Sequence, residues 1–152
     1  MNNKKRGPIV VVMSRGGQGR VVMDTVIAAG YAVTGILDDS PEPPGSYNGV
    51  PVVGVSSDWA KTDEATGFVL AIGQAERLDL GAAMLAAGRS LPAVVHPNSF
   101  VSPSASLAHG VVVLSGCTIN ANAQLHEFVI VNANCSIDHD CVLERGSQLG
   151  PA

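Results

Sequence analysis

His139 stands between two carboxylates in the stretch Ile137-Asp138-His139-Asp140-Cys141. An imidazole of near-neutral pKa accepts a proton from an incoming amine or hydroxyl, and an adjacent carboxylate orients the ring and stabilises its charged form. His139 is therefore a candidate general base, with Asp140 as its acidic partner. Its place, two residues after an aliphatic and two before a cysteine of a repeating series, predicts an exposed position on the flat outer surface of a coil. On residue types alone a surface His-Asp pair is by default a solvated bystander. His109, His126 and Glu127 raise the question of a metal, and His109 and Glu127 are 18 residues apart, so they can stack on one face. They form no complete ligand set, so they read as outer-surface hydrogen-bonding groups and no metal is assigned.

A second chemistry lies near the N-terminus, in Ser14-Arg15-Gly16-Gly17-Gln18-Gly19-Arg20. Between a strand and a helix, such a turn offers backbone N–H groups and a helix N-terminus to phosphate oxygens. Gly16, Gly17 and Gly19 leave no side chain in the way. Ser14 replaces the glycine that opens a dinucleotide fingerprint, so nicotinamide chemistry is poorly supported, and a plain tight turn stays open as an alternative. Asp38-Asp39 closes the next strand, about twenty residues further on, where an acidic side chain can hydrogen-bond a ribose or a base.

The elements that must hold these groups fall into two halves of different period. Residues 8–95 alternate strand and helix. The β-branched run Ile9-Val10-Val11-Val12 reads as a buried strand, residues 17–29 as a helix closed by Gly30, and residues 32–37 as the next strand. After a loop rich in Pro and Gly come a strand at 50–53, a helix beginning at Ser57-Asp58-Trp59, a strand at 67–72, a helix at 75–87 and a last strand at 91–95. This pattern predicts an open, largely parallel α/β sheet.

From Val101 an aliphatic residue recurs every sixth position: Val101, Leu107, Val113, Ile119, Leu125, Val131, Ile137, Leu143 and Leu149. Four residues after each of the first eight sits another small or aliphatic group, and Cys117, Cys135 and Cys141 all fall in that second series. The cysteines accordingly read as small inward-pointing fillers and not as a redox or metal set. A fixed short period means that each unit must stack on its neighbours to bury its apolar face.

Composition narrows the classes. A formal charge of −4 argues against a nucleic-acid surface, and the basic run Lys4-Lys5-Arg6 is short. With 46% hydrophobic and 14% charged residues the chain can bury a core. The apolar stretch Ile9 to Met13 is too short for a signal-peptide core or a membrane span, which suggests a cytoplasmic protein.

The hexads, with the stretch Val131-Asn132-Ala133-Asn134-Cys135-Ser136-Ile137-Asp138-His139-Asp140-Cys141, resemble the active-site coil of the sialic-acid O-acetyltransferase and bacillosamine-pathway UDP-4-amino-sugar N-acetyltransferase family. The likeness extends to the head, in Gly16 to Gly19, Leu37-Asp38-Asp39, Ile72-Gly73 and His96-Pro97. It implies a Rossmann-like nucleotide-sugar-binding domain over residues 1–97 and a left-handed parallel β-helix over residues 98–152. It also implies acetyl-CoA as donor and a nucleotide-linked amino sugar as acceptor, preferably a UDP-4-amino sugar of bacterial glycan biosynthesis. On the same grounds His139 is the base with Asp140 its partner, Asn132 meets the substrate amine or acetyl region, the Ile72-Gly73 loop helps hold the nucleotide, and the protein is a homotrimer. The family's coil runs further, so the chain reads as shortened at its C-terminus. Gln18 and Gln148 stand where many members carry histidine. Sugar O-acetylation and a non-catalytic nucleotide-sugar-binding module remain the alternatives.

Overall fold

A computed structural model describes residues 6–13, 17–40 and 45–152. Strand β1 (Arg6–Met13) carries Ile9, Val10, Val11 and Val12, all buried, as a strand covered on both faces requires. Helix α1 (Gly17–Ala28) returns the chain to β2 (Tyr31–Asp38). The short strands β3 (Ser46–Tyr47) and β4 (Val50–Gly54) follow, then a 3-10 helix at Ser56–Lys61, β5 (Gly67–Ala71) and α2 (Gln74–Ala86). The sheet order is β3-β4-β2-β1-β5, parallel throughout except for the β3–β4 pair. Alternate residues of β1 divide between two layers. Ile9 and Val11 pack with Val22, Met23 and Val26 of α1, whereas Val10 and Val12 pack with Met84 of α2. The helices thus cover opposite faces, and β1, β2 and β5 point their C-terminal ends to one edge, the usual ligand-binding edge of an open α/β sheet. The segment expected to start a helix at Ser57 is the 3-10 helix, which spans six residues.

The last strand expected in the head sheet, at 91–95, belongs elsewhere. It yields β6 (Val94–Val95), which pairs with β9 (Val112–Val113) as the first strand of the coil. The remaining strands are β7 (Phe100–Val101), β8 (Ser106–Leu107), β10 (Thr118–Ile119), β11 (Gln124–Leu125), β12 (Ile130–Val131), β13 (Ser136–Ile137), β14 (Val142–Leu143) and β15 (Gln148–Leu149). They stack as three parallel walls, β7-β10-β13, β8-β11-β14 and β6-β9-β12-β15, with partners 18 residues apart. The second residue of each strand points inward, so Val113, Ile119, Leu125, Val131 and Ile137 form one interior column system with Val111, Cys117, Ala123, Val129 and Cys135. Cys117 and Cys135 are buried as expected of fillers. Cys141 holds the same register but is exposed.

From Gly110 onward every hexad turns at a residue of positive φ: Gly110, Gly116, Asn122, Phe128, Asn134, Asp140 and Gly146. Left-handed backbone is cheap for Gly, and for Asn and Asp through their short polar side chains, but costly for a bulky residue such as Phe128. Phe128 keeps its φ of 62° because its ring is fully buried in the head's second layer.

The head sits on one wall. The first residue of each coil strand points outward, and on β6, β9 and β12 these residues, Val94, Val112 and Ile130, are buried against Ile9, Val11 and α1. Covering three aliphatic side chains by apolar partners favours the joint by roughly 1.5–3 kcal/mol each.

Candidate active site

His139 and Asp140 lie in a turn between β13 and β14, at a corner of the coil and not on a flat wall. The corner is dictated by Asp140, whose φ of 60° is the left-handed turn value. His139 Nδ1 is 2.7 Å from Asp140 Oδ2, the other carboxylate oxygen of Asp140 accepts from Asn122 Nδ2 at 3.1 Å, and Asp138 Oδ1 accepts the His139 backbone N–H at 2.8 Å. Asn122 is the equivalent turn residue one coil earlier, so the stacking of corners steers the carboxylate. The Asp140 hydrogen bond first, then the charges of Asp138 and Asp140, raise the His139 pKa above the usual histidine value. The same contacts with His139 and Asn122 lower that of Asp140. With Nδ1–H donated to Asp140, the lone pair of Nε2 faces outward as a proton acceptor. Asn122 was absent from the sequence-based site; its signal is the 18-residue spacing to Asp140.

At the C-terminal edge of the sheet, Asp39, Ile72, Gly73 and Glu76 line a cavity of about 220 Å³. Three of the expected nucleotide-site residues therefore meet, and Glu76 is an addition, brought in by the first turn of α2. Asp39 Oδ1 accepts the Ser56 N–H at 2.7 Å, which fixes its carboxylate at the rim. Asp38 has a different fate. It is 1% exposed, its Oδ1 accepts from the N–H and Oγ–H of Ser40 at 2.8 and 2.6 Å, and its Oδ2 accepts from Tyr47 Oη at 2.9 Å. The Asp38 carboxylate is thus spent on the loop, leaving Asp39 as the one of the pair that lines the cavity. Desolvation first, with Asp38 adding to it, raises the Tyr47 phenol pKa.

In the phosphate turn, Gly17 opens α1 with nothing within 4 Å of where a Cβ would stand, and Gly19 is buried. Ser14, Arg15 and Gly16 lie outside the described residues. Asn132, expected at the substrate amine, is 7% exposed and occupied within the chain: its Oδ1 accepts from Gln18 Nε2 at 3.1 Å and its Nδ2 donates to Leu149 O. It ties the start of α1 to the coil. Among the described residues no three of His, Cys, Asp or Glu converge as a metal site, and none of the helices is long and apolar enough to cross a membrane.

The structure does not bring the two sites of one chain together. The head packs on the β6-β9-β12-β15 wall, whereas His139 occupies the corner between the other two walls, opposite it.

The comparisons agree with both halves. A family profile described as the PglD N-terminal domain matches residues 9–78. The acetyltransferase domain of PglB from Neisseria gonorrhoeae FA1090 is 32% identical with a TM-score of 0.84, over 94% of this chain and 71% of that one. Its complex with acetyl coenzyme A matches at the same identity and TM-score, over 94% and 70%. PerB from Caulobacter crescentus, in complex with CoA and GDP-perosamine, is 34% identical with a TM-score of 0.79, over 93% and 68%. With its parallel-sheet head, its coil of stacked hexads and these likenesses, the chain belongs to the sugar N-acetyltransferase family that PglB and PerB represent.

Proposed function

We propose that this protein transfers the acetyl group of acetyl-CoA to the amine of a nucleotide-linked amino sugar. The observation that carries it is the His139–Asp140–Asn122 relay on an exposed coil corner, in a chain whose solved relatives hold acetyl-CoA or CoA together with GDP-perosamine. His139 Nε2 takes the proton as the sugar nitrogen attacks the thioester carbonyl; the N–C bond forms, the C–S bond breaks and CoA leaves as the thiolate. Asp140 offsets the charge that develops on the ring.

The head is Rossmann-like, and the coil is a left-handed β-helix. The head holds the nucleotide with Asp39, Ile72 and Gly73 around the cavity and with residues 14–19, Gly17 and Gly19 included, at the phosphates. Asp38 and Asn132 serve by positioning, the first through the Ser40–Tyr47 loop and the second through Gln18. UDP is the preferred nucleotide, and the relative bound to GDP-perosamine makes guanine the second base to test. Because His139 faces away from its own head, the site is completed between copies, which supports a homotrimer built through the coil. The donor and the three free thiols suit a cytoplasmic location.

The deciding experiment is release of CoA thiol from acetyl-CoA in the presence of UDP- and GDP-linked 4-amino sugars, with wild type beside His139→Ala. Turnover in wild type and a loss of about 100-fold or more in the variant are expected, with nucleotide affinity unchanged. A PerB variant with a histidine replaced by alanine retains CoA and GDP-perosamine, so such a variant is a sound probe of chemistry apart from binding. Equal turnover by His139→Ala would remove it as the base.

A further inference from the structure

Arg77 is 0% exposed, the largest fully buried side chain among the described residues, and there its guanidinium donates to three backbone carbonyls. Nη1 donates to Ile72 O at 2.9 Å, Nε to Phe128 O at 3.0 Å and Nη2 to Gly146 O at 2.9 Å. Burying a cation with only carbonyl dipoles for partners is expensive, and burial draws its pKa down. Simple adhesion of head to coil would be served better by an aliphatic group, as neighbouring Leu78 shows where it packs on Gly146. What an aliphatic group lacks is a planar fork that fixes three acceptors relative to one another.

Those acceptors are not equivalent. Ile72 O belongs to the loop that lines the nucleotide cavity, and the Arg77 backbone N–H also donates to Gly73 O at 2.9 Å, so Arg77 holds the Ile72–Gly73 turn from side chain and main chain together. Phe128 O and Gly146 O belong to the same corner in successive coils, 18 residues apart. Phe128 is locked by its buried ring, which leaves no room for a Cβ at Gly81 or Gly110, where one would come within 2.5 and 2.6 Å of it.

We infer that Arg77 is a positioning residue that sets the wall of the nucleotide cavity by bracing it on the acyl-transfer coil. The inference rests on the nucleotide-site assignment proposed above. Arg77→Lys keeps the charge but cannot span three carbonyls. Leu78→Ala weakens the same joint without touching Ile72 O and serves as the control.

Titration calorimetry with UDP and GDP, and separately with CoA, is done on wild type and both variants, each melted first to establish cooperative folding. The expected result is that Arg77→Lys weakens nucleotide binding about tenfold while its CoA affinity stays within about twofold. Leu78→Ala, even at a larger loss of melting temperature, keeps wild-type nucleotide affinity. Nucleotide affinity unchanged in folded Arg77→Lys, or lowered equally in both variants, overturns the inference and leaves the acetyltransferase proposal standing. No nucleotide binding by wild type overturns the cavity assignment and the inference with it. Should Arg77→Lys fail to fold, wild-type hydrogen exchange decides: nucleotide should slow exchange of the amides around Phe128 and Gly146, which do not line the cavity, and no slowing there overturns the brace.

Discussion

The pairing of His139 with Asp140 has a consequence for pH. Because the carboxylates raise the His139 pKa, the neutral, proton-accepting form is populated only as pH climbs past that raised value, and the rate should rise with pH through it. Asp140→Asn tolerates the same left-handed φ but removes the largest cause of the shift. Its pH–rate limb should therefore move toward acid while the plateau falls about tenfold or more, because the amide has one acceptor oxygen for two donors, Asn122 Nδ2 and the ring Nδ1–H. A limb that stays put in Asp140→Asn would show that another group sets it. Asp38 gives the complementary residue-scale case. Tyr47→Phe strands one oxygen of a carboxylate that is 1% exposed. Chemical denaturation should show a loss of about 1–3 kcal/mol. The residue types pointed to the proposed base and its acid, but not to which of Asp38 and Asp39 would line the cavity. That depends on Ser40 and Tyr47, whose approach to Asp38 is fixed by the fold of the loop.

At the scale of the element, the hexad is a two-residue strand plus a turn, and from Gly110 onward each turn uses one left-handed residue. Gly110 and Gly30 share that backbone demand, with φ of 69° and 85°. They differ in space: a Cβ at Gly110 would come within 2.6 Å of the Phe128 ring, whereas one at Gly30 meets nothing within 4 Å. Gly30→Ala should cost about 1–2 kcal/mol for backbone alone. Gly110→Ala should cost more, roughly 2–5 kcal/mol, because it adds overpacking against a buried ring. Equal losses in denaturant titrations of the two variants would mean that the coil corner yields where the packing says it cannot. The corner series of Gly, Gly, Asn, Phe, Asn, Asp and Gly was present in the sequence. Only its Phe member concealed the turn, since its side chain argues for a strand.

For the molecule as a whole, the coil corner that carries His139 and the wall that carries the head are on opposite sides. On the proposed mechanism the assembly that joins them uses two copies. Mixing subunits of His139→Ala with subunits of Asp39→Ala, each nearly inactive alone, should restore about a quarter of the wild-type rate after random exchange, because some interfaces then combine an intact head with an intact histidine. Activity that stays at the level of the separate variants would show that one chain supplies both groups. The wall that the head covers was not marked by residue type alone: its outward positions are aliphatic at Val94, Val112 and Ile130 but polar at Gln148, and the other walls carry exposed Phe100 and Val142 beside Ser106, Thr118, Gln124 and Ser136.

By itself the sequence determined the α/β head and the stacked coil and singled out His139 beside its acid as the proposed base, because each rests on a local period or on neighbouring residues: β-branched runs, aliphatics every sixth position, a histidine beside an acid. Tertiary structure alone decided that Val94 and Val95 begin the coil, that Asp38 and Asn132 are spoken for within the chain, that Glu76 joins Asp39 at the cavity and that Arg77 braces it. Apart from Asp38, held by its own loop, these depend on the meeting of segments far apart in the chain, such as Arg77 with Gly146 or Gln18 with Asn132. Propensity and spacing report what a segment favours locally; which distant carbonyl or carboxylate satisfies a buried donor is settled only when the segments pack.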